Sequence, residues 1–508
     1  LNPSVGRNLV AGALGNTWTA LVQVAFVPAY IALLGLEAYG LIGVYAVLQM
    51  SLWLLDMGFT PALSREVARA QAGATRPDAV RDLLRSVEAI FAVVGIAIVV
   101  VVAVAAPWIA GHWLRSAHLD GATAIRALDL MGVLVALRLV ANPYRGVISG
   151  AQRLVWLNGA SALFATARGA LVIPVLWVEP SIEAFFVFQA LAGVLEAVVL
   201  ARKAWQLLPG SRRAALSLQS VRSIAALSSG VTAIALLQIL ITQSDKALLS
   251  GMLPLAAFGE YSLASSVAGA IALLVAPVGA VAFPRLNALA VQEGAIAGDF
   301  HAFAQLVSVA VAPAGLVLAA FAHPILETWT ADTLLAAGAA PLLALLATGA
   351  VLNAFMTIPI LVPLAKGRPR GAIWLHAVLA AAFLPALYAG VARYGAIAAG
   401  YAWIGVYAAG VLLSAALVRA ELGPAHAGRW LLVDVAMPAL AAAAIILLVH
   451  AAWPGAFLVA FALAQATALA AAPRGRRWLS LVIARKGSAP SATGASSNGD
   501  TSASGRGG

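Results

Sequence analysis

The sequence predicts an all-α polytopic membrane protein of about fourteen transmembrane helices: two six-helix bundles followed by two C-terminal helices. Three observations carry this. Across 508 residues, 62% are hydrophobic and 10% charged; fourteen apolar stretches have span length; and lysine and arginine fall on one side of them. An average soluble domain is about 45–50% apolar and about 25% charged. With 31 Lys and Arg and 20 Asp and Glu, a water-soluble protein of this size could not cover its surface. A soluble enzyme, a nucleic-acid-binding protein and a disordered chain are excluded, despite the net charge of +11.

A helix needs about 20 apolar residues to cross about 30 Å of hydrocarbon. By that measure spans are expected at 8–34, 41–58, 87–109, 124–146, 158–178, 184–200, 224–249, 260–283, 303–322, 336–361, 372–392, 395–418, 431–450 and 454–472. Residues 1–222 then form an N-terminal six-helix bundle, 223–420 a C-terminal one, 421–472 the two extra helices, and 473–508 a basic, then Ser/Gly/Ala-rich disordered cytoplasmic tail. Pro28, Pro174, Pro277, Pro313, Pro359 and Pro385 fall inside spans, where each frees a carbonyl and bends its helix. No cleavable signal peptide is visible at the first span.

Positive residues stay cytoplasmic. With an inside N-terminus, 25 of the 31 basic residues fall in inside segments, Arg145 and Arg153 among them. Outside turns hold only Arg115 and Arg393, and Arg126, Arg138, Arg168 and Lys246 fall within spans. Both termini are therefore expected in the cytoplasm. Trp108, Trp113, Trp177, Trp329 and Trp453 mark outer ends, and Trp156, Trp205, Trp374, Trp430 and Trp478 inner ones, as an interfacial belt does.

The longest outside loop runs only from about Ala110 to Thr123. Membrane enzymes acting on lipid-linked sugars usually carry a larger one, and no paired-carboxylate or Walker-type loop accompanies it. Cysteine is absent, and the seven histidines, His301 and His426 among them, show no metal-ligand spacing. Transport is expected, not catalysis. A faint internal repeat agrees: Leu34-Gly35-Leu36-Glu37-Ala38-Tyr39-Gly40 recurs 219 residues later as Leu253-Pro254-Leu255-Ala256-Ala257-Phe258-Gly259. Each joins the first two spans of a six-helix block, which gives the parallel repeat seen in secondary transporters.

The first of these turns, with Leu55-Asp56-Met57-Gly58-Phe59 and Arg65-Glu66-Val67-Ala68-Arg69, resembles the opening of the polysaccharide (O-antigen or capsule) flippases. These belong to the multidrug/oligosaccharidyl-lipid/polysaccharide exporter superfamily. Gly150-Ala151-Gln152-Arg153, Gln243-Ser244-Asp245-Lys246, Gly259-Glu260-Tyr261, Phe283-Pro284-Arg285-Leu286 and Leu326-Glu327-Thr328-Trp329 extend the resemblance over roughly residues 5–420. It implies two bundles in a V that flip undecaprenyl-diphosphate-linked oligosaccharide outward across the bacterial inner membrane. The setting would be lipopolysaccharide O-antigen, capsule or exopolysaccharide synthesis. Expected partners are that lipid-linked oligosaccharide, the bilayer, and a polysaccharide polymerase with its chain-length machinery; nucleic acid is not among them. No cofactor is expected, and a proton or sodium gradient is the candidate driving force. A MATE-type small-molecule antiporter is the second reading, against which the first span has no acidic residue. A peptidoglycan-precursor flippase would share the fold and a cationic cavity. A glycan polymerase or ligase is disfavoured by the short outer loop.

A charge inside a span costs about 2.5–3.5 kcal/mol, so each needs a partner or a wet cavity. Arg168 lies about 15 Å into the fifth span. Two readings stand: a phosphate ligand in a central cavity, or a structural pair with Glu196 from the sixth span. Arg138 is the second cavity candidate, and Arg126 a rim charge that Asp129 can neutralise one turn away. Asp245 and Lys246, at the outer end of the seventh span, suit a gate or substrate contact, or a solvated helix end. Asp56 caps a helix boundary or latches an inner gate to Arg65 and Arg69. Asp56, Glu196 and Asp245 are thus the gating or ion-coupling candidates, and Arg168, Arg138, Arg126 and Lys246 the substrate-binding ones. Gln49 and other neutral polar residues in spans line the cavity or tie helices together.

Overall fold

In hydrocarbon every backbone polar group must be satisfied within the protein, which leaves a chain this apolar little but helix. The computed structural model describes residues 15, 17–19, 21–56, 58–208, 210, 214–217, 243–290, 296–477 and 480. The described residues are almost wholly helical. Ten helices among them are long and apolar enough to cross a membrane, and Leu36–Gln49 and Phe457–Ala470 are shorter apolar ones. Gly121–Gly150, 30 residues long, makes thirteen among the described residues, and the seventh expected span is the remaining one of the fourteen. Most of that seventh span lies outside the described residues, as do the start of the first and the tail beyond residue 480; residues 243–252 are helical.

The N-terminal half comprises α1 (Val27–Leu34), α2 (Leu36–Leu55), α3 (Phe59–Gln71), α4 (Pro77–Trp108), α5 (Gly121–Gly150), α6 (Leu154–Val178) and α7 (Ile182–Gln206). α3 is a short amphipathic helix at the arginine-rich end, its Phe59, Leu63 and Val67 buried. The C-terminal half comprises α8 (Leu255–Gly269), α9 (Ile271–Ala290), α10 (Ile296–Ala320), α11 (Ala322–Thr330), α12 (Thr333–Phe355), α13 (Thr357–Ala365), α14 (Arg370–Tyr394) and α15 (Ile397–Leu422). α16 (Pro424–Arg429) runs through a π-helical stretch, Trp430–Ala436, into α17 (Met437–Ala452), and α18 (Phe457–Ala470) follows.

Local chemistry explains the breaks. Pro28 and Pro359 lack the N–H that would continue the ladder, and the helices are interrupted at Phe26 and Met356, two and three residues before them. Between α14 and α15, where the apolar signal barely dips, Gly395 turns the chain at φ 69°. Such a conformation suits glycine, which has no Cβ to clash.

Large apolar side chains such as Val104, Leu163, Trp177, Leu191 and Leu448 are exposed on the outside, which fits a lipid-facing surface and not a watery one. Trp108, Trp374 and Trp453 are exposed too, but Trp430 is fully buried. It opens the π-helical stretch and turns inward, so its expected interfacial place is corrected. α17 and α18 close on α10 through alanines: Ala442, Ala460, Ala464 and Ala468 pack with Val309, Val317 and Phe321. Small side chains allow such close helix approach.

The two halves meet at the end opposite the arginine-rich loops. A Cβ on Gly40 of α2 would lie 2.5 Å from the Leu255 carbonyl oxygen, and one on Gly259 of α8 would lie 2.7 Å from that of Leu36. These are the four equivalent positions of the two repeated turns. Within the N-terminal half, Glu37 steadies the loop that makes the next contacts by accepting the backbone N–H groups of Ala117, His118 and Leu119 at 3.0–3.2 Å. The Arg115 carbonyl accepts the Leu255 N–H at 2.8 Å, and Trp113 Nε1 donates to Ser250 at 3.1 Å. This end of the molecule is shut.

Candidate functional site

In the N-terminal half, four helices bring polar side chains to one place. Arg138 and Arg145 are seven residues apart on α5 and therefore share a helix face. Arg168 comes from α6, Glu196 from α7, and Tyr45 and Gln49, one turn apart, from α2.

Glu196 is the centre. Its Oε2 accepts from Arg168 Nη2 at 2.5 Å, and its Oε1 accepts from Arg145. Arg145 also donates to Ser161 at 3.0 Å. With its amide oxygen turned toward Arg138, Gln49 accepts from Arg138 Nε at 2.8 Å and from the Tyr45 hydroxyl. Arg168 and Glu196 are each 8% exposed, while the Arg145 side chain is 34% exposed. Arg138 has a neutral partner and makes no ion pair among the described residues. Arg168 Nε is buried without an acceptor among them. Two guanidinium groups thus share one carboxylate while a third, Arg138, lies near enough to act on Arg168, a surplus of positive charge with an unused donor. Arginine offers paired N–H groups in a plane, which match the oxygens of phosphate or carboxylate.

The remaining candidates lie elsewhere. Arg126 binds Glu183 at 2.7 Å and Thr123 at 3.3 Å, not Asp129, and its side chain is 57% exposed. It sits twelve residues, about 18 Å along α5, from Arg138. It does not join the cluster, because the first turn of α7 supplies a better-placed carboxylate at that end. Asp56 accepts the Thr60 N–H at 3.3 Å and the Thr60 hydroxyl. It caps the start of α3 and makes no latch to Arg65 or Arg69; Arg69 pairs with Glu66 at 3.2 Å instead.

Asp245 is not a solvated helix end: it is 3% exposed. Its Oδ2 accepts from the Tyr261 hydroxyl at 2.5 Å and from Trp403 Nε1 at 3.1 Å, and Tyr407 stacks on Trp403. Its Oδ1 is buried without a partner among the described residues. Lys246 is the next residue in this C-terminal element, half-buried and apart from the arginine cluster.

The model of the polysaccharide biosynthesis protein family matches residues 5–289, more than half of the chain. The chain belongs to that family. It lies within the multidrug/oligosaccharidyl-lipid/polysaccharide exporter superfamily, as the sequence resemblance implied. Among solved structures, the Lipid II flippase MurJ in an inward closed conformation is similar over 94% of this chain and 99% of its own. The TM-score is 0.72 and the identity 12%. An inward-facing multidrug resistance MATE family transporter of the MOP superfamily follows, with TM-score 0.61, 12% identity, and 82% and 96% coverage. The MATE multidrug transporter DinF-BH in complex with R6G aligns with TM-score 0.60, 11% identity, and 84% and 96% coverage. At such identities these neighbours establish a shared transporter fold. No curated protein matches the sequence. All four helices of the arginine cluster fall within the matched family region.

Arg145 is the cluster residue that sequence reasoning placed elsewhere. The sequence reading counts it with the inside segments, at the very end of the expected span 124–146, whereas α5 runs on to Gly150 and keeps it within the helix. Its i, i+7 spacing from Arg138 was the available signal.

Proposed function

We propose that this member of the family flips undecaprenyl-diphosphate-linked oligosaccharide across the bacterial inner membrane for surface-polysaccharide assembly. The arginine-rich end faces the cytoplasm, and both termini lie there. The observation that carries the reading is the cluster in which Arg145 and Arg168 hold Glu196 and Arg138 stands beside them on the neutral Gln49. A diphosphate brings the charge those guanidiniums lack, and the N–H groups of Arg138 together with Arg168 Nε, which has no acceptor among the described residues, would receive it. Glu196 holds the guanidiniums in place between cycles. A cationic site of this kind disfavours the cationic substrates typical of multidrug antiporters.

Translocation follows as alternating access. With the Gly40–Leu255 and Gly259–Leu36 contacts made, the outer end is shut and substrate enters from the arginine-rich side. Their separation opens the opposite route. The chain carries no ATP-binding motif, which leaves an ion gradient as the driving force, and buried Asp245 is the ion-coupling candidate.

The test is a deletion strain. Lipid-linked oligosaccharide should collect on the cytoplasmic leaflet and the surface glycan should disappear. A normal glycan, with no redundant transporter present, rejects the reading. The MurJ-like fold over nearly the whole chain favours a second reading, a peptidoglycan-precursor flippase. Rescue of a strain unable to flip that precursor would select it, and glycan elongation by purified protein would select an enzyme.

A further inference from the structure

A second polar cluster lies in the C-terminal half, separate from the arginines and from Asp245. His301 of α10 is 1% exposed and Asp434 of the π-helical stretch fully buried. Both His301 ring nitrogens are engaged: Nδ1 with Asp434 Oδ2, and Nε2 with His426 Nδ1 of α16 at 3.0 Å. Gln305, one turn along α10, donates to Asp434 Oδ1 at 2.8 Å. Its carbonyl oxygen accepts the N–H groups of Arg474 and Gly475 at 3.0 Å each. The cluster therefore ties α10 to both ends of the last two helices, while partly exposed His426 connects it to solvent.

We propose that His301 and Asp434 form a buried proton-binding site, loaded through His426, that holds the last two helices against α10. Without the proton, the His301–Asp434 pair carries a net negative charge away from water, which is costly. With it, imidazolium faces carboxylate and the pair is neutral overall. The transfer balances without moving a heavy atom. A proton from solvent binds His426 Nε2, the proton on His426 Nδ1 passes to His301 Nε2, and His301 Nδ1–H continues to donate to Asp434. The π-helical turn supports the assignment: its wider winding holds Asp434 against His301, and such turns recur at functional sites.

The charges that face this pair come from the elements packed against it. Asp299 on α10 is taken by Arg285 of α9 at 2.6 Å. Lys366, next to α13, pairs with Glu421 of α15 at 3.1 Å. Arg429 and Arg474 act on His426 and keep their charge throughout. α12 and α18 carry no titratable side chain, and His450 of α17 packs against Phe321, away from the cluster.

Heat unfolding of the purified full chain from about pH 6 to about pH 9, the range around imidazole titration, tests the site. A proton bound at this site in the folded chain alone would make stability present on the acid side and lost as pH rises. His301→Gln and Asp434→Asn should flatten that dependence. His426→Gln should keep it, because the glutamine carbonyl still accepts from His301. Equal pH dependence in wild type, His301→Gln and Asp434→Asn overturns the proposal, and so does loss of the dependence in His426→Gln alone. Should the core variants fail to fold, ¹⁵N spectra of histidine-labelled wild type decide. A buried ring passing from the doubly to the singly protonated form supports the site, and titration confined to exposed rings overturns it. Stabilisation by added zinc that His426→Gln abolishes would make the two rings a metal site instead.

Discussion

Gly40 sits so close beneath Leu255 that a methyl group on it would stand 2.9 Å from Leu255 Cδ1, and Gly259 has the same relation to Leu36, at 3.1 Å. The contact is reciprocal between equivalent positions of the two repeated turns, as across a two-fold axis. A repeat that is faint in sequence is thus explicit in packing.

Gly40→Val should prop this junction open. The chain has no native cysteine, so a Ser262→Cys probe beside Gly43, 5% exposed in the closed junction, is a unique label. Its modification by a membrane-impermeant maleimide should rise several-fold with Gly40→Val; equal labelling rates would mean that the glycine does not govern closure.

Glu196 and Arg168 should differ in what their loss costs. Glu196→Gln strands two guanidiniums and should destabilise the protein by about 3–5 kcal/mol. Arg168→Gln leaves Glu196 with Arg145 and should cost about 1.5–3 kcal/mol, the worth of one charged hydrogen bond. Thermal midpoints of the two variants should therefore rank with Glu196→Gln lower. The reverse order would show that Arg145 does not sustain Glu196.

Arg138→Lys and Arg168→Lys keep the charge but lose the planar two-point grip. Each should slow transport about tenfold, the effect of roughly 1.4 kcal/mol, with normal expression. Unimpaired surface glycan in the paired Lys variant would remove the cluster from substrate recognition.

Topology is open to direct test. Reporter tags at residue 210, residue 290 and the C-terminus should read cytoplasm, and tags at residues 118 and 255 periplasm. A periplasmic C-terminus would require an odd number of spans.

The spans were legible because hydrocarbon demands about 20 apolar residues whatever the tertiary context. Arg168 and Glu196 stood out for the same reason, as deep charges with no local solution. What stayed hidden depended on neighbours distant in sequence. Asp129 is one turn from Arg126, yet Glu183 from another helix takes the contact. Asp56 finds its partner in Thr60, four residues on, where the alternative looked further to loop arginines. His301 and Asp434 lie 133 residues apart, and scattered histidines give no spacing from which to infer that meeting. Asp245 read slightly better as a solvated helix end than as a gate, because its burial by Tyr261 and Trp403 is the work of three separate helices.

The π-helical stretch between Trp430 and Ala436 sets the helical phase of everything after it. A wide turn holds one residue more than the α-helical count, and each residue turns a helix by about 100°. Deleting a single residue there would rotate α17 by roughly that angle and swing its alanine face, including Ala442, away from α10. The two sides of this stretch therefore have separate registers. Helical wheels drawn through it would assign the wrong face to lipid, so residues after Ala436 must be phased from Met437 onward.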